Sequence, residues 1–187
     1  MTIKRKDARQ LLTESVKELA AKKTINKICV AEIARNCSMS NSNFYHYFSD
    51  KYELISYVIG EEIDHRISDK VMTLNELFTE FLDMMEDNRQ FYSNVLVTTL
   101  SEYPNHAFFH ETLDTKVKNL IVSNCMSIIP GKKLDLTLNV YLAGITAIMC
   151  NHIIYQRGTR TELMDAFMVA VPASLRPYIS MGCQYLS

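Results

Sequence analysis

Apolar residues recur at intervals of three and four along nearly the whole chain, and no alternating run of strand length breaks the pattern. Side chains at that spacing share one face of a helix, so the chain can bury them only by packing helix on helix. Ala8, Leu11, Leu12, Ser15, Val16, Leu19 and Ala20 form such a stripe and predict a helix over residues 7–22. Val30, Ile33, Ala34 and Cys37 repeat it in miniature, with Glu32, Arg35 and Asn36 opposite. Ser38-Met39-Ser40 then supplies turn chemistry, and Ser40 or Asn41 caps a third helix that runs to about Phe48. Ser49 or Asp50 caps a fourth, where Asp50 and Glu53 stand at capping-box spacing and Leu54, Ile55, Val58, Ile59 and Ile63 carry the helix towards Asp69. Further helices are expected over 74–86, 89–101, 106–128, 133–156 and 162–179, the last interrupted at Pro172. Pro104, Pro130-Gly131 and Gly158 mark the stops between them. The expected fold is all-α.

Charge divides the 187 residues in two. Up to Lys51 there are ten Lys and Arg against five Asp and Glu, a balance of +5; the remaining 136 residues hold ten against sixteen, or −6. The whole-chain value of −1 hides this asymmetry, which fits either an anionic partner at the basic end or a solvated lysine-rich helix face. Five widely spaced cysteines with no Cys-x-x-Cys pair suggest neither a disulfide framework nor a zinc site. The N-terminus lacks an apolar run behind Lys6, and Val140–Ile154 is too short to span a bilayer, so a soluble cytoplasmic protein is expected.

The third helix carries the most specific signal. On a helical projection Asn41, Tyr45, Ser42 and His46 fall within an arc of about 140°, while Phe44, Phe48 and most of the ring surface point the other way. A core helix has no use for four hydrogen-bonding groups on one face; a recognition helix needs them for base edges and phosphates. Asn pairs bidentately with adenine, Ser donates to a base or a phosphate, and a Tyr hydroxyl suits a phosphate oxygen. His46 has a donor for guanine. Lys51, at the start of the fourth helix, adds a cation to backbone N–H groups and the positive end of the helix dipole, the makings of an anion site.

The run Val30-Ala31-Glu32-Ile33-Ala34-Arg35, the turn Ser38-Met39-Ser40, the helix Asn41-Ser42-Asn43-Phe44-Tyr45-His46-Tyr47-Phe48 and the sequel Asp50-Lys51-Tyr52-Glu53-Leu54 together resemble the DNA-binding domain of TetR/AcrR-type transcriptional regulators. The polar residues before Phe44-Tyr45, with Gln90-Phe91-Tyr92, are similar to the subgroup of the dihydroxyacetone-kinase operon regulator. The resemblance implies a homodimer on a pseudo-palindromic operator. It also implies an N-terminal three-helix helix-turn-helix DNA-binding domain, here residues 1–51, and a larger helical dimerisation and effector-binding domain, residues 52–187. By position it assigns Ser40, Asn41, Ser42, Tyr45 and His46 to the operator face and Lys51 to a phosphate. Three positions depart from the family pattern. Cys29 stands where a capping Thr is usual and Ala31 where a base is frequent, which weakens phosphate affinity; Ser38 replaces the usual turn Gly, at a cost of about 1 kcal/mol if its φ is positive.

In the second domain Met84, Met85, Tyr92, Phe108 and Tyr141 are candidate effector contacts, within a Met- and ring-rich stretch most of which reads as core. Gly144 and Ala143 allow close helix approach. With Phe167, Val171, Leu175 and Tyr178 they suggest a two-helix surface that pairs with its symmetry mate as a four-helix bundle. The expected function is repression, released by a small-molecule or protein effector, with activation as the alternative. An all-α enzyme or a protein-interaction module ranks lower: Cys150 with His152, and His106 with His110, lack a third partner or a metal-ligand spacing. No catalytic residue, metal or cofactor is expected.

Overall fold

Helix α1, Ala8–Ala20, begins at Asp7, whose carboxylate accepts from Gln10 N (2.8 Å) while the Gln10 side chain accepts from Asp7 N (3.2 Å), a reciprocal cap. These bonds belong to a computed structural model that describes residues 7–67, 73–97, 105–125 and 131–179. Leu12, Val16 and Ala20 are fully buried, and the buried Ser15 hydroxyl donates to Ile33 O of the next helix at 2.7 Å. Between the two helices lies a 3-10 turn, Ile25–Lys27, too short to leave a periodic signal.

Helix α2, Val30–Asn36, is followed by a left-handed residue: Ser38 has φ +59°, its N–H donates to Arg35 O, and Met39 N–H reaches back to Ala34 O. Ser40 caps α3, Asn41–Tyr47, by accepting from Asn43 N at 3.2 Å. Asp50 caps α4, Lys51–Arg66, by accepting from both Tyr52 N and Glu53 N at 2.8 Å. The expected Asp50–Glu53 box is shifted by one residue. Glu53 reaches back to the N–H and hydroxyl of Ser49, not of Asp50, and those bonds hold its carboxyl below the usual range.

Among the described residues nine α-helices pack on one another, with α1 against α2, α4 and α6 at the N-terminal end and α8 at the centre of the rest. Helix α4 packs on α1 on one side and on α5, Leu74–Asp87, on the other, so the buried core runs without a gap from Leu12 to Ile179. Asn88 both ends α5 and begins α6, Arg89–Leu96. Helix α7, Asn105–Cys125, lies along α8, Lys132–Tyr155, which also touches α5, α6 and α9, Arg160–Val169. Gly158, at φ +74°, is required between the last two: a Cβ there would stand 2.8 Å from Leu163 Cδ1. Helix α9 is shorter than expected. It stops three residues before Pro172, whose ring supplies no N–H and disfavours helix in the residue before it, and the chain continues to a 3-10 turn at Arg176–Tyr178. Part of the sixth expected helix, residues 98–101, lies outside the described residues.

Helix α8 is also longer than the Val140–Ile154 segment and reaches membrane-spanning length and apolarity by composition. Half of that stretch is buried inside the protein, as in a core helix. Its two sides differ. Leu138, Leu142, Ile145, Met149 and Ile153 face the core, while Leu136, Val140, Ile148 and Tyr155 are exposed. Ala143, Gly144 and Ala147 lie on the exposed side, and α9 adds Ala166 and Val169, with Ala170 just beyond its end. The expected pairing residues Phe167, Val171 and Leu175 are instead buried within the subunit, because the apolar face of α9 that meets α5 is the one carrying Phe167, which packs edge-on against Phe78.

Candidate nucleic-acid interface

Phe44 and Phe48 are buried and stand 6.1 Å apart on the inner side of α3, and they fix which side of that helix meets solvent. Asn41, Ser42, Tyr45 and His46 are all exposed on the other side. Tyr45 is 57% exposed although its ring meets Phe44 edge-on at 5.5 Å, so its hydroxyl is carried outward on a supported ring. His46 is similarly set against Tyr47 at 5.0 Å. Ser40 is exposed too, but its oxygen is occupied by the cap.

Lys51 takes a different position from the one its place in the sequence suggests. Its Nζ donates to Ile25 O at 2.9 Å and Ile28 O at 2.8 Å, tying the start of α4 to the carbonyl end of the 3-10 turn, and stands 5.2 Å from the Tyr52 ring. The Tyr52 and Glu53 N–H groups are taken by Asp50. An open groove of about 340 Å³ runs beside this joint, between Asn26, Lys27, Cys29 and Val30 on one wall and Asp50, Lys51 and Tyr52 on the other. Lys27 and Asn26, both exposed, are rim residues that helical periodicity could not find, because they sit on the 3-10 turn. Cys29 occupies the N-cap of α2 and makes no side-chain cap bond.

The five candidate effector residues do not converge. Met84 is packed in the core; Tyr141 donates to Phe167 O at 2.7 Å; Phe108 is half-buried against Phe109. Tyr92 is fully buried, and its hydroxyl donates to Glu62 of α4, which also pairs with Lys17 of α1. Burial and the Glu62 carboxylate push the Tyr92 hydroxyl far above its ordinary range. Met85 alone of the five lines an internal cavity, with Phe81 of α5, Phe109 and Leu113 of α7, and Thr146, Met149 and Cys150 of α8. Cys150 and His152 form no catalytic pair: burial pushes the Cys150 thiol up to about 12, and the His152 ring nitrogens meet Glu86 (2.8 Å) and Arg157 O (3.0 Å). His106 lies in a part of α7 whose side chains are outside the described residues, and the His110 ring meets Asn139. Among the described residues no three His, Cys, Asp or Glu side chains form a metal-binding group.

A buried-ring scaffold that presents one polar helix face beside a basic turn defines a helix-turn-helix DNA-binding protein. Residues 12–58 match the family of bacterial regulatory proteins, tetR family. Solved structures share the chain's all-helical architecture. The dihydroxyacetone kinase operon activator DhaS superposes with a TM-score of 0.65 at 19% identity, covering 92% of this chain and 98% of its own. A tetR-family regulator from Streptomyces coelicolor gives 0.62 at 16% identity, with 90% and 81% covered. A transcriptional regulator from Rhodococcus sp. Rha1 gives 0.55 at 13%, with 94% and 100% covered. No curated protein matches the chain. TetR-family regulators bind operator DNA and usually act as dimers, and the family is non-enzymatic.

Proposed function

We infer that the chain is a homodimeric repressor that reads a pseudo-palindromic operator through Asn41, Ser42, Tyr45 and His46 and releases it in response to an effector. The observation that carries this reading is the outward polar face of α3 set on buried Phe44 and Phe48. Residues 1–51 form the DNA-binding unit, with Ser40 and Lys51 holding its helices in register at the operator surface, and residues 52–187 form the dimerisation and effector body. One such unit reads few base pairs. Two related by a twofold axis address half-sites about 34 Å apart. The exposed side of α8 and α9 supports the pairing: Val140 is 75% and Val169 74% exposed, and nothing lies within 4 Å of where a Gly144 side chain would start.

Activation is a second reading, supported by the structural likeness to DhaS, itself an operon activator. A reporter placed behind the selected operator separates the two by the sign of its response. Selection of bound sequences from a random DNA pool, followed by titration at several salt concentrations, tests the reading as a whole. Repeated half-sites one helical turn apart and a steep loss of affinity with salt are expected. Enrichment of no sequence overturns it, as does operator binding that is unchanged when Asn41 and His46 are both replaced by alanine.

A further inference from the structure

Of the ten basic residues that give residues 1–51 their positive balance, Lys4, Arg5 and Lys6 lie outside the described residues, and most of the others are engaged inside the fold. Lys17 pairs with Glu62, Lys22 with Glu18 and Lys23 with Glu32. Lys51 donates to Ile25 O and Ile28 O, and the Arg9 guanidinium lies over the Phe48 and Tyr57 rings at 5.9 and 5.6 Å. Among the described residues the Lys27 and Arg35 side chains are the two of this set without a partner. Arg35 closes α2, where its charge meets the negative end of the helix dipole. Lys27 stands on a three-residue turn with no comparable dipole.

That turn is pinned from both sides. Residues three apart eclipse in a 3-10 turn, so Ile25 and Ile28 both point inward and are buried, while Asn26 and Lys27 between them are exposed. The carbonyls of the same two isoleucines hold the Lys51 ammonium, at 2.9 and 2.8 Å, and the Tyr52 hydroxyl donates to Asn26 Oδ1 at 3.3 Å. Lys27 therefore leaves a fixed backbone at the rim of the groove beside the start of α4. Resting on the regulatory reading above, we propose that Lys27 contacts a phosphate of the operator at this edge of the DNA-binding unit, and that Lys51 is a positioning residue holding the turn from which Lys27 reaches. Phosphate and not a base edge is the partner, because α3 carries the base-reading face and an ammonium off that helix acts as a point charge. Anchoring it on a pinned turn lowers the ordering cost of binding.

The test is a titration of the full chain with the selected operator and with an unrelated duplex of equal length, between about 50 and 200 mM salt. Lys27→Gln should lower the slope of log K against log salt by about 0.9 for each subunit bound, and weaken both duplexes by one common factor. Lys27→Arg should keep the slope. So should Lys23→Gln, which removes a cation already paired with Glu32. The positioning role is read from a double-variant cycle. Loosening the turn adds an ordering cost without removing the charge, so Lys51→Met should lower affinity at constant slope, and that loss should shrink about fivefold when Lys27 is already Gln. An unchanged slope in Lys27→Gln, an equal fall in Lys23→Gln, weakening confined to the operator, or additive losses in the double variant overturns the proposal. The two readings fail separately. A chain that binds neither duplex sinks the regulatory reading and the contact with it, whereas a steep salt dependence that survives Lys27→Gln sinks the contact alone.

Discussion

Among the described residues the N-terminal unit leaves no buried side-chain polar atom without a partner, whereas the helical body leaves three. In the first, Ser15 is bonded to Ile33 O, Asn36 to Ser15, and Lys51 to two carbonyls. In the second, Thr146 Oγ1, His110 Nδ1 and Asp114 Oδ1 are buried without partners, and these are all the cases among the described residues. Every one lies on α7 or α8. A scaffold that must hold four side chains in register for DNA gains from satisfied bonds, which fix one arrangement. Under the proposed regulation, a body that changes when an effector binds gains from positions that the folded state leaves imperfect.

The sharpest test of that contrast is Lys51→Met. Removing an ammonium that ties two carbonyls should destabilise the chain by about 2–3 kcal/mol in denaturant titration. It should also lower operator affinity while leaving the slope of log K against log salt nearly unchanged. A slope that falls by about one would instead assign Lys51 to a phosphate and weaken the comparison.

Cys150 probes the body through pH. Its thiol, ordinarily near 9.0, is raised to about 12 by burial, so the folded state keeps the proton that the unfolded chain gives up. The stability this supplies is complete below pH 9 and is lost as pH rises towards 12, by about 1.4 kcal/mol per pH unit. Cys150→Ala should flatten that part of the alkaline stability profile, measured by urea midpoints between pH 8 and 11.

Two smaller effects run in the stabilising direction. Thr146→Val removes the unpaired hydroxyl and should raise stability by about 1 kcal/mol; a loss instead would show that the hydroxyl is satisfied and that the body resembles the N-terminal unit after all. Ser38→Gly relieves the positive φ, and a gain of about 0.5–1 kcal/mol is expected in thermal melts, the smallest of the four because glycine also frees the unfolded chain.

Much of the scaffold was legible in the sequence because it is written in local signals. The stripes on α1 and α4 and the caps at Ser40 and Asp50 each depend on residues within a turn of one another. The outward arc of α3 follows from 3.6-residue geometry once Phe44 and Phe48 are taken as buried. What was not legible depends on distant partners. Lys51 turns towards carbonyls more than twenty positions earlier in the chain, on a turn of three residues that carries no period. Hydropathy marks Met84, Met85, Tyr92 and Tyr141 alike as buried, but only the packing of α5, α7 and α8 decides that Met85 meets a void. The all-round apolar pattern of α8 likewise could not say that Phe167 belongs to the subunit core and Val169 to the outer face.

The junction at Asn88 has a mechanical consequence. One residue closes α5 and opens α6, so there is no slack between them. Helix α5 carries Phe81 and Met85 on the cavity wall, while α6 carries Tyr92, bonded to Glu62, and Asn94, which donates to Ala20 O at the end of α1. The two helices are the arms of one elbow, so their mutual angle can change only at Asn88, and the residues that meet α1 and α4 sit on the arm directly joined to the one that lines the void.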